Sequence, residues 1–264
     1  MRRVAKGTTK AKGKSGPGAS RPLKSQDQPN YDPISTRKAS KGLTIRLENL
    51  GNYNPITQNQ EHAAEDWKDG YNLMLSGSAG TGKTYLAMHF GLEEVLDRDT
   101  VYDKVIIIRS VVPTRDMGFL PGTEEEKMEA YTGTYKGIVE ELTGDKEGWT
   151  KLTAAGTVKF ESTSFIRGVT FNDAIIIVDE MQNLNFHELD SVITRVGANC
   201  RIMFCGDYHQ SDFKFNDEKD GIIKFLNIVD HLNTFSTVVF GPEDIVRSGL
   251  VKQYIMTKEK LGIS

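Results

Sequence analysis

One stretch of the chain decides the fold: Gly77-Ser78-Ala79-Gly80-Thr81-Gly82-Lys83-Thr84. It matches the pattern GxxxxGK[ST], with the apolar run Leu73-Met74-Leu75 before it and a helix-like segment after it. Its glycines allow close approach of the backbone, so successive N–H groups can surround phosphate oxygens. The start of the following helix adds the positive end of its dipole. The stretch therefore predicts a strand, a phosphate-binding loop and a helix, whereas a glycine-rich turn without a ligand is the alternative.

The side chains that close this loop predict a nucleotide and a metal ion. Lys83 can reach the β- and γ-phosphates of a nucleoside triphosphate, for which we predict ATP, and the Thr84 hydroxyl can bind Mg²⁺. The predicted nucleotide-binding residues of the loop are Gly77, Ser78, Ala79, Gly80, Thr81, Gly82, Lys83 and Thr84.

A second motif follows further along the chain, where the apolar run 175–178 ends in Asp179 and Glu180. A buried strand would deliver these acids to the carboxyl edge of a parallel sheet, where α/β sheets bind ligands. We predict that Asp179 holds the Mg²⁺ shell and that Glu180 polarises the attacking water. Two acids at a solvated strand end are the alternative, which the upstream phosphate loop disfavours.

Two glutamines complete the predicted site. Gln210, in Gly206-Asp207-x-x-Gln210, follows an apolar run and could sense the γ-phosphate, although an ordinary turn is the alternative. Gln60 lies 17 residues before Gly77, and its amide offers a donor and an acceptor that suit the N6/N7 edge of adenine. The alternative for Gln60 is a solvated surface residue.

The rest of the chain alternates apolar runs with longer mixed segments. The runs are 72–75, 105–108, 174–178, 201–205 and 237–240, and helical stretches include 84–97 and 186–196. Such runs suit strands covered on both faces, so the pattern predicts an α/β fold with a mostly parallel sheet flanked by helices. Residues 122–165 interrupt the pattern and predict an insertion of one or two helices, with a hairpin as a further element.

Charge divides unevenly along the chain. Residues 1–42 carry 11 Lys and Arg against 2 Asp, a balance of +9, whereas the other residues balance −12 within a total of −3. Residues 1–42 also nearly lack large apolar side chains, which predicts a disordered basic tail before a domain at 43–264. The tail could contact the phosphates of RNA or single-stranded DNA, or it could be a solubilising leader.

Composition also predicts the compartment. No apolar run approaches 18 residues, and the first residues lack the apolar core of a secretory signal. The two cysteines, Cys200 and Cys205, are too far apart along one strand for a disulfide. These features predict a cytoplasmic protein with no membrane association.

Together these segments resemble the PhoH-like family over roughly residues 55–258. The similarity is carried by 57–60, by Gly118-Phe119-Leu120-Pro121-Gly122, by Asp179-Glu180-Met181-Gln182-Asn183 and by 244–251. Residues 80–87 match the family's phosphate loop nearly throughout, which adds Tyr85 to the nucleotide-binding set. The resemblance implies a RecA-like P-loop ATPase related to superfamily 1 helicases and acting on RNA.

The same resemblance supplies three arginines, Arg109, Arg167 and Arg247. An arginine can stabilise the charge that develops on the γ-phosphate during hydrolysis. Arg109 follows a strand and could act in its own subunit, whereas Arg247, and next Arg167, are candidates to reach a neighbouring subunit. A surface ion pair is the alternative for each.

A single RecA-like core must find the second half of a helicase site elsewhere. A ring of identical subunits, such as a hexamer, would supply it through heterologous interfaces. We therefore predict a helicase-like ATPase that forms a homo-oligomer. The alternatives are a nucleotide-gated binding or assembly protein with little turnover, and a kinase, which the Asp179-Glu180 pair disfavours.

Overall fold

The computed structural model describes residues 44–111, 124–166, 168–207 and 216–261. The predicted tail, Gly118–Gly122, Arg167 and Gln210 lie outside these residues. Within them the chain forms one sheet of six parallel strands in the order β3-β2-β4-β5-β1-β6. The strands are β1 (Asn72–Gly77), β2 (Lys104–Arg109), β3 (Val158–Ser162), β4 (Ala174–Val178), β5 (Cys200–Gly206) and β6 (Phe235–Phe240).

Helices connect the strands and cover both faces of the sheet. They are α1 (Gln58–Lys68), α2 (Lys83–Leu96), α3 (Glu124–Thr143), α4 (Gly148–Ala154), α5 (Phe186–Ile193), α6 (Asn216–Asp230) and α7 (Gly249–Lys260). Local sequence explains several starts. The Thr57 hydroxyl caps α1, and Asn185 and Glu188 form a reciprocal capping box at α5.

The core has two layers because successive strand residues point to opposite faces of the sheet. In β4, Ile175 and Ile177 belong to the core layer that includes residues of α1 to α4, whereas Ile176 and Val178 belong to the layer that includes residues of α5 and α6. Every residue of β4 is buried, as expected for a strand covered on both sides. The predicted α/β fold with a parallel sheet flanked by helices is therefore confirmed.

The segment 122–165 differs from its prediction. It supplies α3 and α4, but the predicted hairpin is wrong: β3 pairs in parallel with β2, with Val158 opposite Val105. The end of this segment, β3, is therefore an edge strand of the main sheet. The helices α3 and α4 lie in the connection between β2 and β3. The sequence pattern does not reveal β3 because its residues, Val-Lys-Phe-Glu-Ser, do not form a continuous apolar run.

The strand order positions the site. The strand before the phosphate loop, β1, lies between β5 and β6, and β5 separates it from β4. Because all six strands are parallel, their carboxyl ends meet along one edge of the sheet.

Both cysteines are buried and unpaired. No helix among the described residues is long and apolar enough to cross a bilayer.

Candidate nucleotide-binding site

The phosphate loop joins the end of β1 to the start of α2, as predicted. Gly77, Gly80 and Gly82 all have positive φ, at +128°, +78° and +85°, a region that favours glycine. A Cβ on Gly77 would collide with the backbone of Phe240 at the end of β6. The Ser78 N–H donates to the Phe240 carbonyl at 3.2 Å. The neighbouring strand thus fixes where the loop begins.

Lys83 is held inside the loop. Its Nζ donates to the carbonyls of Gly77 and Ser78, both at 2.7 Å, and to Thr81 Oγ1 at 3.3 Å. Burial lowers the pKa of Lys83, and the nearby groups of Cys205 and Asp207 oppose this shift. The ammonium group therefore lies at the loop with oxygen partners that phosphate oxygens can replace.

The predicted metal ligands meet across the site. Thr84 Oγ1 donates to Asp179 Oδ1 at 2.8 Å, which links the start of α2 to the end of β4. Asp179 is 4% exposed. A hydroxyl and a carboxylate are the hard oxygen ligands that Mg²⁺ takes together with phosphate oxygens. These two residues therefore fit a magnesium ion bound beside the phosphate loop.

The other carboxylate oxygen of Asp179 also has a protein partner. The Tyr135 hydroxyl, from α3, donates to Asp179 Oδ2 at 2.8 Å. Burial and the neighbouring Glu180 raise the pKa of Asp179, and the hydrogen bonds from Tyr135 and Thr84 oppose the rise. Tyr135 is not among the predicted site residues, because one aromatic residue inside a presumed insertion carries no signal of its own.

Arg109 is the last residue of β2 and interacts with the two acids that follow β4. Burial lowers the pKa of Arg109, but Tyr135 and the carboxylates of Glu180 and Asp179 raise it by more. The guanidinium carbon also lies 5.7 Å from the centroid of the Tyr131 ring. A cation therefore stands beside the two acids that follow β4.

Glu180 is oriented by a residue that motif reasoning left without a role. Gln182 Nε2 donates to Glu180 Oε2 at 2.5 Å, and Gln182 Oε1 accepts from the Asp207 N–H at 3.2 Å. Gln182 thus ties the end of β4 to the end of β5. Glu180 itself has φ of 52°, which is uncommon for a residue with a side chain and occurs often at functional sites.

Gln60 is hydrogen-bonded within the protein at both ends of its amide. It is buried, and its Oε1 accepts from the Ile56 N–H at 2.9 Å and from the Tyr53 hydroxyl at 3.3 Å. Its Nε2 donates to the Thr81 carbonyl at 3.0 Å. The amide therefore fastens the segment before α1 to the phosphate loop, and the contact with adenine stays a prediction.

Arg247 lies against the phosphate loop of its own chain. Its Cγ is 2.9 Å from the position that a Cβ on Gly80 would occupy, and the Val246 N–H donates to the Gly80 carbonyl at 3.1 Å. Asn59 Nδ2 fastens the preceding turn by donating to Asp244 Oδ2 at 2.7 Å. Arg247 thus lies beside the phosphate loop of its own chain and is exposed, and its reach toward a neighbouring subunit stays a prediction.

Three of the remaining predicted site residues lie in the described part of the chain, and two lie outside it. Ala79 is exposed in the loop and Ser78 is buried beneath it. Tyr85 is partly buried and packs against the core layer beneath α2, where burial raises its pKa. Arg167 and Gln210 lie outside the described residues and stay predictions.

The sheet, the glycine loop and the paired acids define a protein with the P-loop NTPase fold. The profile of the PhoH-like protein family matches residues 52–259. The chain therefore belongs to the PhoH-like family.

Its similarity to known proteins covers most of this chain but only part of theirs. It is 29% identical over 214 residues to a PhoH-like protein of Mycobacterium leprae, which covers 81% of this chain and 60% of the relative. It is 37% identical over 158 residues to Protein PhoH2 of Bacillus subtilis, which covers 58% of this chain and 36% of the relative. Among solved structures it resembles the large terminase of a thermophilic bacteriophage in complex with ADP, with 15% identity, a TM-score of 0.43, and coverage of 76% of this chain and 49% of that one.

Proposed function

We propose that the chain hydrolyses ATP with Mg²⁺. The observation that carries the proposal is the contact between Thr84 and Asp179 at 2.8 Å, because it joins the phosphate loop to the acidic strand end. It brings together a hydroxyl and a carboxylate of the kind that Mg²⁺ takes as ligands beside bound phosphates. Membership of the PhoH-like family supports the same proposal.

The chain's own residues divide the work of hydrolysis. Lys83 binds the β- and γ-phosphates, and the N–H groups of residues 77–84 surround them. Thr84 and Asp179 hold Mg²⁺, which when bound neutralises charge on the phosphate oxygens. Glu180, oriented by Gln182, positions the attacking water and accepts its proton. Arg109 and Arg247 can each place positive charge near the phosphates from within the same subunit.

The finer part of the proposal is that turnover is coupled to RNA or single-stranded DNA in a helicase-like manner. Two features support it: the basic balance of residues 1–42 and the family membership. A homo-oligomeric ring belongs to the same proposal, because one RecA-like core supplies only one wall of a helicase cleft. The other candidate is a nucleotide-gated binding or assembly protein with little turnover.

Phosphate release with and without poly-RNA tests both parts. The parent chain is expected to release phosphate from ATP only with Mg²⁺, and to do so faster with RNA. Glu180→Gln should keep ATP binding but lose about 10²–10⁴-fold in turnover, because only the proton acceptor is removed. Lys83→Ala should lose both binding and turnover, since a charge facing the phosphates disappears.

The exposed Glu147, which precedes α4 and pairs with Lys151, offers a matched control. Glu147→Gln makes the same chemical change and should hydrolyse ATP at the parent rate. A Glu180→Gln chain that turns over like the parent would show that the proton acceptor is misassigned. ATP binding without turnover in the parent chain would favour the gated-binding candidate.

A further inference from the structure

The two carboxylate oxygens of Asp179 accept hydrogen bonds from different residues. Oδ1 accepts from Thr84 of the phosphate loop and Oδ2 accepts from Tyr135, both at 2.8 Å. With Asp179 only 4% exposed, solvent makes little contribution to holding the group. The orientation of this carboxylate therefore depends on two hydroxyl groups.

Of these two hydroxyls, that of Tyr135 belongs to the more deeply buried residue. The side chain is fully buried, and its ring packs on Phe160 of β3 with centroids 5.6 Å apart. The hydroxyl oxygen lies in the plane of the ring, so packing that holds the ring also fixes the oxygen. Thr84, by contrast, must also serve the metal ion.

The charge around Tyr135 suits a donor aimed at Asp179. A phenol is protonated at neutral pH, so the Tyr135 hydroxyl donates to the Asp179 carboxylate. The Arg109 guanidinium interacts with the Tyr135 hydroxyl and with the carboxylates of Glu180 and Asp179. Hydrogen bonds to an ionised acceptor are about twice as strong as neutral ones.

We propose that Tyr135 is a positioning residue for the magnesium site: its hydroxyl holds Asp179 in the orientation that lets the carboxylate and Thr84 share the ion. The inference rests on the proposed function and adds a member from the segment between β2 and β3. Partners of this kind, one shell outside the metal, typically change metal affinity or activity 10–100-fold when removed. Tyr135 does not touch the nucleotide in this role.

The test is Tyr135→Phe, which keeps the ring and removes only the hydroxyl. Binding of a fluorescent ATP analogue is measured while Mg²⁺ is titrated, so that the readout is independent of turnover. The Mg²⁺ concentration for half-maximal stimulation of binding should rise about 10-fold or more. Nucleotide binding in the presence of EDTA should stay at the parent level, because the phosphate loop is intact.

Tyr71 supplies a matched control. Its hydroxyl is also buried but has no hydrogen-bond partner, and it precedes β1 at the opposite edge of the sheet. Tyr71→Phe should leave the Mg²⁺ dependence unchanged. Thermal unfolding without ligand shows whether either variant has lost its fold.

A double substitution decides whether Tyr135 acts through Asp179. Asp179→Asn alone should abolish most of the Mg²⁺ dependence, and adding Tyr135→Phe should change it no further. Equal Mg²⁺ dependence in the parent and in Tyr135→Phe would overturn the inference, as would additive losses in the double variant. Absence of any Mg²⁺ effect in the parent would instead overturn the proposed function, so the two failures are distinguishable.

Discussion

Gln60 uses both ends of its amide inside the protein. Its oxygen accepts from Ile56 and Tyr53, and its nitrogen donates to the Thr81 carbonyl. The oxygen could accept from a base only if one of its two bonds broke, because a carbonyl oxygen has two lone pairs. We therefore predict that Gln60→Ala weakens binding of fluorescent ATP and GTP analogues by the same factor, about 5–10-fold for one lost hydrogen bond to the loop. Equilibrium titration of both analogues measures the ratio.

The neighbouring Gln58 is exposed and provides the control, since Gln58→Ala removes the same side chain from the same helix turn. It should bind both analogues like the parent. A loss in Gln60→Ala that is confined to the adenine analogue would support the assignment of Gln60 as a base-reading residue.

At the scale of elements, the end of β6 limits the first residue of the phosphate loop. Gly77 has φ of +128°, and a Cβ there would enter the Phe240 backbone. We predict that Gly77→Ala lowers the free energy of unfolding by about 2–4 kcal/mol, because a backbone clash adds to the strain of positive φ. Urea unfolding without nucleotide measures the loss.

Gly144 separates the two causes. It also has positive φ, +64°, but a Cβ there would meet nothing within 4 Å. Gly144→Ala should therefore cost only the conformational strain, about 1 kcal/mol. Similar losses in the two variants would mean that the contact with β6 contributes nothing.

The strands also show which features of the fold can be predicted from a short stretch of sequence. β4 can be predicted because four consecutive apolar residues and two acids stand together in the sequence. β3 cannot, because an edge strand half open to solvent lacks such a run. For the same reason the motifs locate Lys83, Thr84 and Asp179 at one sheet edge. The contacts of Gln60 with Thr81 and of Tyr135 with Asp179 could not be predicted, because they join segments 21 and 44 residues apart in the chain.

At the scale of the whole molecule, the first 42 residues carry a net positive charge and the rest of the chain a net negative charge. Residues 1–42 balance +9 against −12 for the rest. We predict that deleting residues 1–42 weakens binding to single-stranded RNA and lowers the slope of log affinity against log salt by about 0.7 per lost phosphate contact. Fluorescence anisotropy at several salt concentrations measures both.

A chain with residues 1–42 in shuffled order keeps the charge and removes any motif. Because counterion release depends on charge and not on order, this chain should bind RNA like the parent. An unchanged titration after the deletion would exclude the segment from nucleic-acid binding.

The backbone contact between Val246 and Gly80 joins the phosphate loop to the segment that leads into α7. Thermodynamic linkage makes such a connection reciprocal. A molecule that binds α7 and alters this contact changes nucleotide affinity by some factor, and the nucleotide changes the affinity of that molecule by the same factor. A label or fusion attached after α7 is therefore joined to a segment that is hydrogen-bonded to the phosphate loop. The nucleotide affinity measured for such a chain includes any effect of the attachment on this contact.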